Sequence, residues 1–535
     1  MAHVLVADKI AEAGLEKLRA ASGVTFDVRH GLSTEELASA VGEYDGMLIR
    51  SAVKVTAEVL ANPGKLSVIA RAGVGVDNVD LDAATAAGVL VLNTPDANTL
   101  STAEHALALM LALHRNIPDA HAHIRGGGWD RNKYLGEQLA GKTLGIVGLG
   151  RIGRAVAARA LAFEMRVIGF DPFVKDATLL DGKVVMVKEL PAFLGQADCV
   201  TLHASLTDDT KHMIGAKELA AMKPGAHLVN CARGKLIDEI ALAEALNENR
   251  LGGAAIDVYE KEPPEGSPLL SAKNVVLTPH LAASTAEAQS RVSSDAVDAL
   301  LAYLLHGEIS SAVNVSGLPS SLPPRDKAYL DLCGRMGTII SPLCAGGVEG
   351  ISVSAFGDSP AGVAPTLSWQ ATVAILKPHV PDRLNLINAA DQARQRGITV
   401  EHAAHSSRQH HADSILIKVE TKSERHEIEG TVFADEKPRV LSIDGYRMEL
   451  VPEGAMALIF NDDQPGVIGL VGRHFGDLGI NIADMALSRR EGKALMVLKL
   501  DAPMPADLRT ALQSASPPIH SIYNVSLPDV KSENR

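Results

Sequence analysis

Aromatic side chains make up only 3% of this 535-residue chain, as nine Phe, seven Tyr and two Trp. Its cores must therefore be built from Ala, Val, Leu and Ile. Cysteine is scarce too. Cys199, Cys231, Cys333 and Cys344 form no C-x-x-C pair, which argues against a disulfide framework or a thiolate zinc site and fits a reducing cytosol. No long hydrophobic run is present. The longest uncharged apolar stretch in a helical pattern, Ala106 to Leu113, is bounded by His105 and His114, whereas a membrane span needs ~20 residues. The N-terminal MAHVLVADKI ends in charge and lacks the basic start and long apolar run of a signal peptide, so a soluble cytoplasmic protein is expected. An excess of positive charge is also missing. Lys and Arg number 51 against 64 Asp and Glu, a net charge of −13, which excludes a nucleic-acid binder held by a basic surface. With 46% hydrophobic residues the chain is not disordered, and its length suggests roughly three to four domains.

The first 95 residues alternate short apolar bursts (Val4–Ala7, Met47–Ile49, Val68–Ala70, Val89–Leu92) with helical runs, the rhythm of a parallel α/β sheet. A second such rhythm runs from Leu144 to about His280, with strands expected at Leu144–Val147, Arg166–Phe170, Cys199–His203, His227–Asn230, Ala254–Asp257 and Val275–Thr278. Helical patterns at Ser101–His114 and Ala286–Leu305 flank it as crossings into and out of this half. The Pro-, Gly- and Ser-rich stretch from Val313 to Pro324 reads as a linker. Beyond it come strands at Ile415–Glu420, Glu427–Phe433 and Val440–Ile443, with Asp444-Gly445 as a hairpin signal. From about Ala455 the pattern is strand, helix, strand, strand, helix, strand.

Gly148-Leu-Gly150-Arg-Ile-Gly153 follows an apolar strand and opens a helical run, and a second strand ends at Asp171, 23 residues past Gly148. That context makes a dinucleotide fingerprint. Gly148 permits the turn, Gly150 lets the backbone approach a pyrophosphate, Gly153 packs helix on sheet, and the helix N-terminus receives phosphate. Asp171 would accept the ribose hydroxyls and repel a 2′-phosphate, which favours NAD; Lys175 nearby is the one contrary feature. Arg233, Glu262 and His280 fall at the carboxyl ends of the expected strands. They offer a cation for a carboxylate, a carboxylate to raise a histidine's pKa, and an acid/base.

The runs Asn230-Cys-Ala-Arg-Gly234, Asp257-Val-Tyr-Glu-Lys-Glu-Pro263 and Pro279-His-Leu-Ala-Ala-Ser-Thr285, with the glycine fingerprint, resemble the D-isomer-specific 2-hydroxyacid dehydrogenases. The resemblance implies Arg233, Glu262 and His280 as catalytic residues. It implies Gly148, Gly150, Arg151, Ile152, Gly153, Asp171, Cys231 and Asp257 as NAD-binding. It also implies two Rossmann-like doubly wound domains, the first discontinuous, with a site between them. Leu48-Ile-Arg-Ser51, Arg71-Ala-Gly-Val-Gly-Val-Asp-Asn-Val-Asp80 and Trp129-Asp-Arg-Asn-Lys133 are similar to the phosphoglycerate-oxidising members of that family. On that footing Arg50, Ser51, Arg71, Gly73, Val74 and Gly75 would bind the substrate, 3-phosphoglycerate, with Arg131 and Lys133 joining from this or a neighbouring subunit.

Asn461-Asp-Asp-Gln-Pro-Gly-Val-Ile-Gly469 and Gly479-Ile-Asn-Ile-Ala-Asp-Met485 resemble an ACT domain. This implies Asn461, Asp463 and Asn481 as an effector site, with L-serine the expected ligand and Pro465 opening a helix. Residues 319–450, most clearly Pro438 to Tyr446, resemble an α+β intervening domain of the longest family members. The expected division is 1–98 with 286–316 for substrate, 99–285 for NAD, 319–450 intervening and 453–527 ACT (βαββαβ), in a homotetramer with no nucleic-acid or membrane partner. Ser205, Ala282 and Thr102 depart from family habit, and Ala282 disfavours a positive φ. The Glu401-His402-Ala-Ala-His405 stretch with His410 and His411 reads as a solvated, loosely structured segment, and no metal site is expected. The alternatives are a dehydrogenase of another 2-hydroxy acid, such as 2-hydroxyglutarate or glycerate, and a non-catalytic NAD(H)-sensing protein on the same fold.

Overall fold

A computed structural model of the chain describes residues 1–174, 180–315, 322–344, 346–380, 383–406, 413–434, 436–514 and 519–530. Lys175, His410, His411 and the centre of the expected linker lie outside these residues.

The first sheet contains β1 (Ala2–Val6), β2 (Val24–Val28), β3 (Gly46–Ile49), β4 (Val68–Arg71) and β5 (Leu90–Leu92). All its strands are parallel, in the order β2-β1-β3-β4-β5. The strand β2 is absent from the sequence expectation. It is a short edge strand with only Val24 buried, and its alternating Val-Thr-Phe-Asp-Val is not the continuous apolar burst that marks its neighbours. The second sheet contains β6 (Thr143–Val147), β7 (Arg166–Phe170), β8 (Val184–Met186), β9 (Cys199–Leu202), β10 (His227–Asn230), β11 (Gly253–Ile256) and β12 (Val275–Leu277). Its order, β12-β11-β10-β9-β6-β7-β8, reverses direction at β6. This is the doubly wound arrangement whose ligand crevice lies at the switch point, here between β6 and β9.

The helix Thr99–His114 packs on the second sheet through Ala103, Ala106, Leu109 and Met110. The helix Ala286–His306 returns to the first, burying Val292, Ala296, Val297 and Leu300 there. The chain then runs along the edge of β5: Val313 N donates to Val91 O, and Asn314 Oδ1 accepts from Val91 N. The first sheet is thus completed by a segment more than two hundred residues downstream.

The third sheet contains β13 (Val348–Phe356), β14 (Thr399–His405), β15 (Ser414–Thr421), β16 (Arg425–Val432), β17 (Pro438–Ile443) and β18 (Tyr446–Leu450), and is mixed. Asp444 and Gly445 turn the β17–β18 hairpin with φ of 48° and 78°, the backbone such a two-residue turn requires. His402 and His405 sit on β14, an edge strand paired in parallel to β13. That corrects the expectation of a loosely structured segment: main-chain pairing holds residues whose exposed side chains read as loop. The fourth sheet contains β19 (Gly454–Asp462), β20 (Ile482–Arg490), β21 (Lys493–Leu500) and β22 (Ile519–Leu527). It is antiparallel in the order β20-β21-β19-β22.

The fourth sheet buries both faces. Alternate residues Ala457, Ile459, Met496, Leu498 and Ile522 meet the helices Val467–Asp477 and Ala506–Gln513. Met456, Leu458, Leu495, Val497 and Val525 enter the core of the third sheet, with the helix Pro324–Ile340. The helix expected to open at Pro465 begins at Val467, because Gly466 takes φ of 94° just before it. The intervening region also touches the first sheet. Asn385 Nδ2 donates to Gly88 O at 2.8 Å, and Ile387 lies in that sheet's core. No helix of the described residues is long and apolar enough to cross a membrane.

Candidate active site

The turn after β6 carries Gly148 at φ 87°. A side chain there would strike the His203 backbone at 2.7 Å. Gly153 faces the Gly148 carbonyl so closely that a Cβ would lie 2.0 Å from it. Gly150 caps the helix Arg151–Ala162 and opens onto free space, so the helix's unpaired N–H groups are accessible to an anion. Asp171 ends β7. One oxygen accepts from Leu149 N at 2.8 Å and the other from Phe173 N at 2.9 Å, which fixes the carboxylate beside the turn. Ile152 lies partly buried against the second core, and Arg151 pairs with Asp96 of the other unit. Cys231 is buried behind the sheet ends, where burial pushes its thiol up. An NAD molecule fits these residues: a glycine turn without side chains, an open helix start and a fixed carboxylate.

His280 stands at the end of β12 with φ 55°. Its Nδ1 lies 2.8 Å from Glu262 Oε2. Since an ionised carboxylate only accepts, Nδ1 carries the hydrogen and Nε2 keeps a lone pair. The hydrogen bond to Glu262 raises the His280 pKa; burial opposes it, and the Glu262 charge reinforces it. Burial opposes ionisation of Glu262, but His280 and the Tyr259 amide outweigh burial and hold its pKa low.

The loop bearing His280 is set by Asp257, which is fully buried. Its carboxylate accepts from Thr278 Oγ1 at 2.6 Å, Leu281 N at 2.7 Å and Ala282 N at 3.0 Å, and it meets His105 Nε2 at 3.2 Å. Both oxygens are thus engaged within the protein. The positive φ of this loop falls on His280 and not on Ala282, so the extra methyl of Ala282 introduces no backbone strain.

Across the cleft, Arg233 Nε pairs with Asp77 at 3.1 Å. A side chain at Gly75 would strike Arg233 Nη2 at 1.9 Å, and one at Gly73 would strike Arg71 Nη1 at 1.7 Å. Both guanidinium groups therefore lie flat on the 73–75 loop, Val74 between them. Arg71 is partly buried; that burial, with Arg233 and Arg50 nearby, pushes its pKa down to about 10. Its Nε has no partner among the described residues. Arg50 and Ser51 are held in place by Asp8, which accepts from Arg50 N and Ala52 N, and by Asn78, which donates to Arg50 O and Val53 O. Three crowded cations with an unmet donor form a place where an anion would relieve repulsion. Arg131 and Lys133 lie instead on an exposed segment with Trp129, Lys133 over the Tyr134 ring. Among the described residues no ion pair joins their side chains to this group.

Of the expected effector residues, Asn461 is buried with Oδ1 unpartnered, and Asp463 pairs with Arg489 at 2.9 Å. Asn481 is exposed, and its backbone carbonyl accepts from Asp501 N. Sequence reasoning missed Asp8, Asp77, Asn78 and His105. Each acts through partners at least 25 residues away, so no local spacing reveals it.

Residues 107–282 match the family of D-isomer specific 2-hydroxyacid dehydrogenase NAD binding domains, and residues 326–444 match the D-3-phosphoglycerate dehydrogenase intervening domain. A D-3-phosphoglycerate dehydrogenase of Methanocaldococcus jannaschii is 39% identical over 95% of this chain and 97% of its own. Among solved structures, the TT0316 protein of Thermus thermophilus is 40% identical with a TM-score of 0.54, covering 58% of this chain and 99% of its own. A D-lactate dehydrogenase from Aquifex aeolicus, solved with NAD and lactic acid, is 28% identical with a TM-score of 0.51, covering 56% and 95%.

Proposed function

We propose that this chain, which belongs to the D-3-phosphoglycerate dehydrogenase family, oxidises 3-phospho-D-glycerate to 3-phosphohydroxypyruvate with NAD, opening serine biosynthesis. The His280–Glu262 pair facing the arginine-lined loop carries this reading. NAD, when bound at the glycine turn, supplies the two-electron acceptor. His280 Nε2 takes the proton of the C2 hydroxyl. Glu262 holds the ring in the tautomer that leaves Nε2 free and stabilises the imidazolium that results. Arg233 holds the substrate carboxylate and the oxygen at C2, with the backbone of residues 73–75. Arg50 and Arg71 take the phosphate, and Arg131 and Lys133 supplement them from a neighbouring subunit. Asp257 acts on the nicotinamide end of the site by orienting the loop that carries His280.

The substrate unit is formed by 1–98 and 286–316, the NAD unit by 99–285, the intervening unit by 319–450 and an ACT unit by 453–527. Asn461, Asp463 and Asn481 bind L-serine at an interface between two ACT units. The buried, unpartnered Asn461 oxygen supports a polar ligand there. Exposed Met485 and Leu487 on the edge strand β20 support its pairing with a second copy in a homotetramer. Four buried free cysteines suit the reducing cytoplasm.

The test is NADH formation from D-3-phosphoglycerate and NAD, with and without L-serine, and the reverse assay with 3-phosphohydroxypyruvate and NADH. Turnover in either direction upholds the dehydrogenase. Turnover indifferent to serine removes the effector assignment alone. Silence in both directions overturns the substrate.

A further inference from the structure

At the amino ends of the second sheet's strands, opposite the catalytic cleft, three metal-ligating side chains meet: His114, Glu137 and His227. Each offers a ligand atom, and these atoms all lie within 4.8 Å of one another. His114 ends the helix Thr99–His114, Glu137 lies in the loop leading into β6, and His227 opens β10. The loop is pinned to the helix end, with Glu137 N donating to His114 O at 2.9 Å. The two imidazole rings are 4.1 Å apart between centroids.

His114 is 2% exposed, and its Nδ1 lies 2.9 Å from the Met110 carbonyl. A carbonyl only accepts, so Nδ1 holds the hydrogen and Nε2 is left as a lone pair. That Nε2 is buried and has no partner among the described residues. A buried acceptor without a donor is costly, and a histidine that ligates a metal almost always donates its other ring N–H to a carboxylate, a backbone carbonyl or water, as His114 does to Met110. Burial also disfavours the charged form of both rings, leaving the neutral form that ligates. Glu137 brings the negative charge; Lys142 now holds it at 2.7 Å, in a pair exposed on the glutamate side and partly buried on the lysine side.

We propose that His114, Glu137 and His227 form a binding site for a divalent transition-metal ion of the zinc class, clamping the helix Thr99–His114, the loop before β6 and the start of β10 together. A tetrahedral ion with bonds of about 2.1 Å holds its ligands roughly 3.4 Å apart. Modest side-chain rotations therefore close the cluster on it, with water as the fourth ligand.

The chain has 19 histidines, so background binding is removed by comparing variants. Purified, chelator-stripped protein is titrated with Zn²⁺ alone by calorimetry and by melting, and with Co²⁺ for its visible absorption. The wild type is expected to bind one Zn²⁺ per chain that His227→Gln lacks, to melt higher with Zn²⁺, and to give a Co²⁺ band absent from the variant. Glu137→Gln, at an exposed position where misfolding is not a concern, is expected to weaken that binding by no less than the roughly tenfold lost with an outer-shell partner. Equal stoichiometry and affinity in Glu137→Gln and the wild type, or a wild type whose melting ignores Zn²⁺, overturns the site.

Discussion

Between the first and second sheets two ion pairs cross the cleft. Arg233 meets Asp77, and Arg151 meets Asp96, the latter pair more than half exposed on both sides. Between the third and fourth sheets the junction is apolar: Met456, Leu458, Leu495, Val497 and Val525 share one core with Leu332, Met336 and Ile339. Arg335, only 6% exposed, locks it by donating to the carbonyls of Pro452, Pro528 and Asp529, with Asp331 on its Nε. The difference teaches what each junction is for. Exposed ion pairs contribute little and exchange readily with water, which suits two units that must admit and release a substrate. A shared hydrophobic core with a satisfied buried cation resists opening, which suits two units that stay together, and Asn385 and Ile387 join the intervening region to the first sheet.

The largest effect expected is on the cleft alone. His280→Asn should lower kcat by about 10²–10⁴-fold, the usual worth of an acid/base group, and leave the melting of the C-terminal half unchanged. Residual turnover within tenfold of the wild type would remove His280 from the chemistry. Arg335→Ala should do the reverse. Stranding three carbonyls should destabilise the C-terminal half by about 2–4 kcal/mol, seen in calorimetry as an earlier separate transition, with basal turnover kept. A single unshifted transition would break the contrast between the junctions.

The pH profile sharpens it further. The His280 pKa is raised by Glu262 above its ordinary 6.5, and oxidation needs the neutral ring. The rate should therefore climb with pH through that raised value. Glu262→Gln removes the chief cause, so the acidic limb of kcat/KM should move to lower pH; an unmoved limb would mean that Glu262 does not set it. The stabilisation the pair gives the fold should be present below His280's ordinary pKa and be lost as pH rises through the raised one. The smallest effect belongs to Asp96→Asn, which severs an exposed cleft pair and should change stability by about 1 kcal/mol or less. A larger loss in thermal melting would show that the cleft is held shut more firmly than its exposure implies.

Much of this was legible in the chain. The glycine run before a helix, the apolar bursts and the hairpin at Asp444-Gly445 are local signals, and the elements formed within a residue or two of the expected bounds. The edge strands β2 and β14 were not legible, since their pairing is made by the backbone and most of their side chains are exposed or only partly buried. Nor were the partners of the site legible. The oxygens of Asp257 are engaged by His105, Thr278 and the loop amides, partners that lie at least 21 residues away along the chain. Asp8, just past β1, and Asn78, inside the Arg71–Asp80 run, shape the Arg50 loop through bonds to a segment distant in the chain.

The sequence by itself determined the family, the order of the elements and which side chains could do chemistry, because turn geometry, hydrophobic period and residue type act over a few positions. Only the tertiary structure decided that Arg71 and Arg233 share one glycine loop, that the fourth sheet buries a second face against the third, and that His114, Glu137 and His227 meet. Those outcomes depend on which distant segments exclude water from one another, and long-range packing fixes that where no spacing along the chain records it.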